Sequence, residues 1–202
     1  MGTAVRQEYI FDDIMGETTL DEYTRFINLA ENREKRFMLI DGYIVAMAGN
    51  ASFNHIRICG YISRKIGNYL EGNTCEVAQD ANIYLFKKGI GSCKNVFQPD
   101  IMVGCEKDKM TDRGYEGTPA LVVEVISKST ASHDYFVKCA RYMQFGVKEY
   151  WIVDSLKNQI LVYINCGEDP PDVYRYTFDD AVEFNTLEGL VIDFKNIAKN
   201  LD

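Results

Sequence analysis

The chain has 202 residues, an ordinary 47% hydrophobic fraction and a formal net charge of −8. That length suits a single domain over residues 1–202 with a full core and no need of staples. No run of ~20 apolar residues is present for a membrane-crossing helix, and Met1 to Met15 lacks the apolar core of a signal peptide, so a cytoplasmic protein with no membrane contact is expected. The acidic balance argues against a broad nucleic-acid footprint, because phosphate contacts need Lys and Arg, but it does not fix where the 22 basic residues lie.

In chain order, Thr18 to Ala30 reads as a short helix. Thr18 or Thr19 caps it, Asp21 and Glu22 lie in its first turn, and Leu20, Tyr23, Phe26, Ile27 and Ala30 share one face. Phe37 to Ile40 and Tyr43 to Met47 are strands around Asp41-Gly42, a strong hairpin signal. Ala51 to Leu70 is a helix whose apolar face is expected to carry Ile56, Cys59, Ile62, Ile66 and Tyr69 or Leu70. Strands follow at Thr74 to Ala78 and Asn82 to Phe86, then a loop from Lys87 to Asn95. Asp100 to Val103 is a strand opened by Pro99, and Cys105 to Thr118 a polar loop. Ala120 to Ile126 is nearly all apolar and β-branched, as in a strand buried on both faces. A helix over Ser132 to Phe145, capped by Thr130 or Ser132, stops at Gly146. Strands at Glu149 to Val153 and Gln159 to Ile164 follow, with weaker ones near Val173 to Thr177 and Leu190 to Ile192. Strands dominate, so the fold class is α/β or α+β: a mixed sheet flanked by helices. None of the six cysteines (Cys59, Cys75, Cys93, Cys105, Cys139, Cys166) sits in a CxxC pair or shows zinc-type spacing, and reduced structural thiols are expected.

One residue breaks the run from Ala120 to Ile126. Glu124 is a carboxylate in an otherwise apolar strand, expensive to bury without a cation or a hydrogen-bonding partner. Asp100 has a similar setting before Ile101-Met102-Val103. Paired strands would let both converge on one hard cation such as Mg²⁺. The competing reading makes Asp100 a strand-end turn residue and pairs Glu124 with a lysine. Two lysines are candidates: Lys128, on the strand face of Glu124, and Lys138, on the following helix with Asp134 and with Arg141 or Tyr142. Taken alone, Asp134 and Lys138 at i and i+4 read as a solvated surface ion pair. His55 edges the apolar stripe of its helix, as a satisfied, partly buried histidine or as a contact to substrate phosphate. Gln98 flanks the site, and His133 is expected to be exposed.

These residues form an ordered series: Pro99-Asp100, Gly114-Tyr115-Glu116-Gly117, Leu121-Val122-Val123-Glu124-Val125-Ile126-Ser127, Ser129-Thr130, Asp134, Lys138, Tyr142 and Gly146-Val147-Lys148-Glu149-Tyr150-Trp151-Ile152-Val153-Asp154. Upstream stand Leu39-Ile40-Asp41-Gly42, Met47 and His55. From about Asp21 to Asp154 the series resembles the Uma-type family of restriction-endonuclease-like proteins, within the PD-(D/E)XK nuclease superfamily. The resemblance implies a restriction-endonuclease-like fold with an N-terminal hairpin, completed by C-terminal strands in residues 155–202. It implies an Mg²⁺- or Mn²⁺-dependent DNA endonuclease, with Asp100, Glu124 and the backbone carbonyl of Val125 on the metal and Lys138 as the catalytic lysine. Ile126 stands where the superfamily usually has that lysine, a departure that moves the choice from Lys128 to Lys138. Met38 and Tyr43 around the Asp-Gly turn, and Lys128 where proline is usual, depart from the family as well. His55, Lys128, Asp134 and Tyr142 are supporting candidates, and a homodimer suits cleavage of two strands. The alternative is a catalytically inactive module that keeps the fold and binds nucleic acid or a protein partner.

Overall fold

A computed structural model describes residues 17–47, 51–127 and 134–201, together with the backbone alone of His133. Lys128, Ser129, Thr130 and Ser132 lie outside the described residues, so the readings made on them concern the sequence alone. Helix α1 (Leu20–Ile27) precedes the hairpin of β1 (Arg36–Ile40) and β2 (Tyr43–Met47). Helix α2 (Phe53–Leu70) leads to β3 (Glu76–Gln79), β4 (Ile83–Leu85), β5 (Asn95–Phe97) and β6 (Ile101–Gly104). Two short strands, β7 (Met110–Thr111) and β8 (Gly114–Tyr115), fold back within the next loop before β9 (Leu121–Val125). A π-helical turn (His133–Lys138) runs into α3 (Cys139–Phe145). Then come β10 (Glu149–Asp154), β11 (Gln159–Ile164), β12 (Asp172–Tyr176), β13 (Ala181–Glu183), β14 (Val191–Asp193) and α4 (Phe194–Ala198).

The architecture is mixed α/β, with a central mixed sheet flanked by helices. That sheet runs β12-β11-β10-β9-β6-β3, and only its β9–β10 pair is parallel. The parallel pair needs a crossover, which the π turn and α3 supply. Side chains alternate across the sheet. Ile101, Val103, Leu121, Val123, Val125, Trp151 and Val153 pack on one face with Ile58, Ile62 and Ile66 of α2. Met102, Val122, Ile126, Tyr150 and Ile152 pack on the other with Tyr142 of α3 and with Met38, Ile83 and Phe97 of the second sheet. That second sheet, β2-β1-β5-β4-β8-β7, grows from the hairpin. Asp41 and Gly42 both take positive φ in its tight turn, as a two-residue loop between twisted strands requires.

Several expectations change. Thr19 does cap α1, in a reciprocal capping box with Glu22. Ile56, expected on the buried stripe of α2, is 56% exposed, and Ile58 is buried instead. Leu70 rather than Tyr69 closes the stripe. Cys59, Ile62, Ile66 and Leu70 set the phase, and His55 continues it one turn earlier while Ile56 falls off to the side. The loop expected over Lys87 to Asn95 ends in a strand, β5, whose Val96 and Phe97 are buried. The expectation of six reduced thiols fails for one pair. The β3–β6 register sets Glu76 against Gly104, and one step further Cys75 and Cys105 meet as a disulfide.

Candidate metal centre

Strands β6 and β9 are antiparallel, with Ile101 opposite Val123. Continuing the register by one residue sets Asp100 across from Glu124. Their 24-residue separation is therefore closed by strand pairing. Glu124 is a β9 residue on the α3 face, whereas Asp100 stands one residue outside β6, at the mouth of a cavity. Both of its carboxylate oxygens are engaged. The Val125 N–H donates to Oδ2 at 2.6 Å, and the His55 ring nitrogen Nε2 lies 3.0 Å from Oδ1. His55 reaches this point because it extends the buried stripe of α2, whose first turn is capped by the Ser52 hydroxyl.

Glu124 lies deeper. Its Oε1 accepts from Lys138 Nζ at 2.9 Å and from the Tyr142 hydroxyl at 3.2 Å. Lys138 Nζ also sits 2.8 Å from Asp134 Oδ1. All four side chains are essentially buried: Glu124 is 2% exposed, Asp134 1%, Lys138 1% and Tyr142 0%. Asp134 and Lys138 therefore form no solvated surface pair. The π turn, a wider ring than the α-helical one and a frequent feature of functional sites, carries both of them at the entrance to α3. Ile126, at the usual superfamily lysine position, is buried in the apolar layer against α3.

The cavity above this floor measures about 370 Å³. Asp100, Glu124, Asp134, Lys138, His55 and Cys59 line it, and Arg36 and Asp80 form an ion pair at 3.0 Å on its wall. Gln98 lines it too and donates to the Asp80 carbonyl at 2.6 Å. Three carboxylates thus share one lysine and one histidine. Burial pushes the Asp100 carboxyl up to about 6, against the pull of the Val125 N–H and the His55 ring. Burial also raises Glu124 well above the ordinary carboxylate range, opposed by Lys138 and reinforced by Asp134 and Asp100. On Lys138, burial disfavours the charge, but Glu124 and Asp134 outweigh it and its pKa rises. The group is a buried carboxylate cluster short of positive charge. Burial, with Glu124 beside it, raises Tyr142 and keeps it a hydroxyl donor. Burial, with Asp100 and Glu124 nearby, raises the Cys59 thiol.

Asp100, Glu124, Lys138, His55, Asp134 and Tyr142 are therefore drawn together around the site, next to Val125. Lys128 lies outside the described residues, as does the His133 side chain. Cys59, which the sequence reading does not include in the site, lines the cavity as well, and its i, i+4 spacing from His55 is the signal that points to it. Two other buried carboxylates serve structure. Glu149 accepts from Trp151 Nε1, the Asn185 and Thr186 N–H groups and the Thr186 hydroxyl. Asp154 accepts from the Tyr135 hydroxyl and the turn N–H groups of Leu156 and Lys157.

The family model Uma2, described as "Putative restriction endonuclease", matches residues 20–194. Two uncharacterised proteins of Synechocystis sp. (strain PCC 6803) are each 26% identical to the chain, over 163 and 159 residues. The first match spans 80% of this chain and 83% of the relative, the second 77% and 86%. The crystal structure of a "putative nuclease" from Anabaena variabilis ATCC 29413 superposes with a TM-score of 0.69 at 16% identity, covering 90% of this chain and 97% of that one. At that identity the likeness establishes the fold.

Proposed function

The chain belongs to the Uma2 family of restriction-endonuclease-like proteins, and from that premise we propose that it hydrolyses DNA phosphodiester bonds with the help of Mg²⁺ or Mn²⁺. Asp100, Glu124 and the backbone carbonyl of Val125 would hold the cation. The observation that carries this reading is the placing of Asp100 opposite Glu124 across β6 and β9, with Lys138 2.9 Å from Glu124 on the cavity floor. The residues fit the ion. Their carboxylates are hard oxygen donors, they outnumber the cations around them, and a cavity beside them leaves room for waters and a phosphate. When bound, the ion supplies Lewis acidity and a water of lowered pKa.

The chain's own groups do the rest. The Val125 N–H fixes one Asp100 oxygen, so that carboxylate is oriented before any ion arrives. Tyr142 holds the Glu124 rotamer through Oε1. Lys138, clamped between Glu124 and Asp134, keeps a positive charge on the floor, where it orients the attacking water or offsets charge growing on phosphorus. His55 stands at the Asp100 carboxylate, in reach of an incoming phosphate. Cutting both strands of a duplex would call for two copies of the chain, in line with a homodimer.

Plasmid DNA incubated with Mg²⁺ or Mn²⁺ should be cleaved by the natural chain and left intact by a folded Asp100→Ala variant. Equal cleavage by that variant would overturn the assignment. A second reading keeps the fold and the site but not the reaction. It is favoured by the net charge of −8 and by the scarcity of free cations around the cavity: of the described residues lining it, Arg36 is paired with Asp80 and Lys138 with two carboxylates. Calorimetry with Mn²⁺ separates the two, because a non-catalytic module has no need of an ion bound through Asp100 and Glu124.

A further inference from the structure

Next to the two carboxylates lies a donor set of a different chemical kind. His55 and Cys59 are one helical turn apart on the same face of α2, and Asp100 comes up to them from the end of β6. One ligand atom from each of the three, a ring nitrogen, a sulfur and a carboxylate oxygen, lies within 4.8 Å of the others. The His55 Nε2 to Asp100 Oδ1 separation of 3.0 Å is close to the edge of a tetrahedral zinc site, which is about 3.3 Å for bonds of roughly 2.0 Å. Cys59 touches the apolar core and also lines the cavity. Among the described residues, Nδ1 of His55 is buried without a hydrogen-bond partner. The Asp100 carboxylate holds the ring through Nε2, and Nε2 can present its lone pair once a cation replaces the proton between them.

We propose that His55, Cys59 and Asp100 form a site for a borderline-soft, zinc-class divalent ion, distinct in ligand chemistry from the Mg²⁺ or Mn²⁺ centre. A nitrogen, sulfur and oxygen set of three protein ligands with an open fourth position matches Zn²⁺. Thiolate and imidazole are poor partners for Mg²⁺ and good ones for Zn²⁺ or Co²⁺. Binding displaces the Cys59 thiol proton to solvent and forms the metal–sulfur bond, with no change in oxidation state. Because Asp100 belongs to both sets, an ion held here competes for the carboxylate that the proposed hydrolytic centre uses. The inference rests on that centre only through this shared residue.

Co²⁺ serves as the probe, since a cobalt–thiolate bond shows a charge-transfer absorption in the near ultraviolet. Metal-free protein, with its Cys75–Cys105 disulfide intact, should develop this band at one equivalent of Co²⁺ and lose it when Zn²⁺ is added. The band should be absent in Cys59→Ser and survive in Cys166→Ser, which removes an exposed free thiol. Should Cys59→Ser fail to fold, as read by circular dichroism, His55→Ala takes its place and should shift the Co²⁺ d–d spectrum away from a tetrahedral pattern. No band in the natural chain, a band that persists in folded Cys59→Ser, or an unchanged d–d spectrum in His55→Ala overturns the site. The measurement needs no cleavage. A Cys59-dependent band without Mg²⁺-dependent cleavage upholds this site and removes the nuclease reading, whereas cleavage without a band removes this site alone.

Discussion

Replacing Lys138 by methionine keeps an unbranched side chain one atom shorter and deletes its charge. In the natural chain that ammonium sits 2.9 Å from Glu124 and 2.8 Å from Asp134, all three essentially out of solvent. Removing one member of a buried ion pair leaves charge uncompensated and costs about 3–5 kcal/mol. Against a total stability of about 5–15 kcal/mol, that is a large share. The cost depends on pH in a defined sense. Glu124, already raised by burial, loses its main opposing charge in the variant, so its folded pKa rises further above the ordinary 4.5. The folded state then holds a proton that the unfolded state releases, and stability falls as pH rises above about 4.5. Urea unfolding of Lys138→Met, run without metal from pH 4.5 to pH 8, should show a deficit small at the acid end and growing towards neutrality. Adding Glu124→Gln to the variant should recover part of it. A deficit below about 1 kcal/mol at neutral pH, within the range of an exposed pair, or one independent of pH, would refute the buried, charge-starved arrangement.

Mn²⁺ binding should weaken as pH falls through about 6, because burial raises the Asp100 carboxyl to that value and its proton competes with the ion; calorimetry at pH 5 and pH 7 reads this directly. Glu149→Ala should destabilise the chain by at least about 3 kcal/mol, since Trp151 Nε1 and the Asn185 and Thr186 N–H groups lose a buried acceptor, while leaving Mn²⁺ affinity unchanged. Gly60→Ala should raise stability by roughly 0.5–1 kcal/mol in the same urea assay, because a Cβ there meets nothing within 4 Å and glycine is unfavourable inside a helix.

Local patterns were readable from the residues alone. The Asp41-Gly42 hairpin, the Thr19 cap, the apolar strand around Glu124 and the Gly146 stop all follow from interactions within a few residues, and the structure carries each of them. A carboxylate in a run of valines also announced itself, because burying one without compensation is costly. The rest depended on contacts between distant segments. Spacing left Asp100 and Glu124 open between turn chemistry and a shared site, and only the β6–β9 register sets them face to face. Helical spacing joined Asp134 to Lys138, but burial beneath the cavity turned a pair that read as solvated into the floor of the site. The Cys75–Cys105 bond and the meeting of Cys59 with Asp100 likewise came from strand and helix packing across 30 and 41 residues of sequence. A linear pattern records which side chains share a face of their own element. Which faces close on one another, and so which charges must answer each other out of water, is decided only when the layers pack.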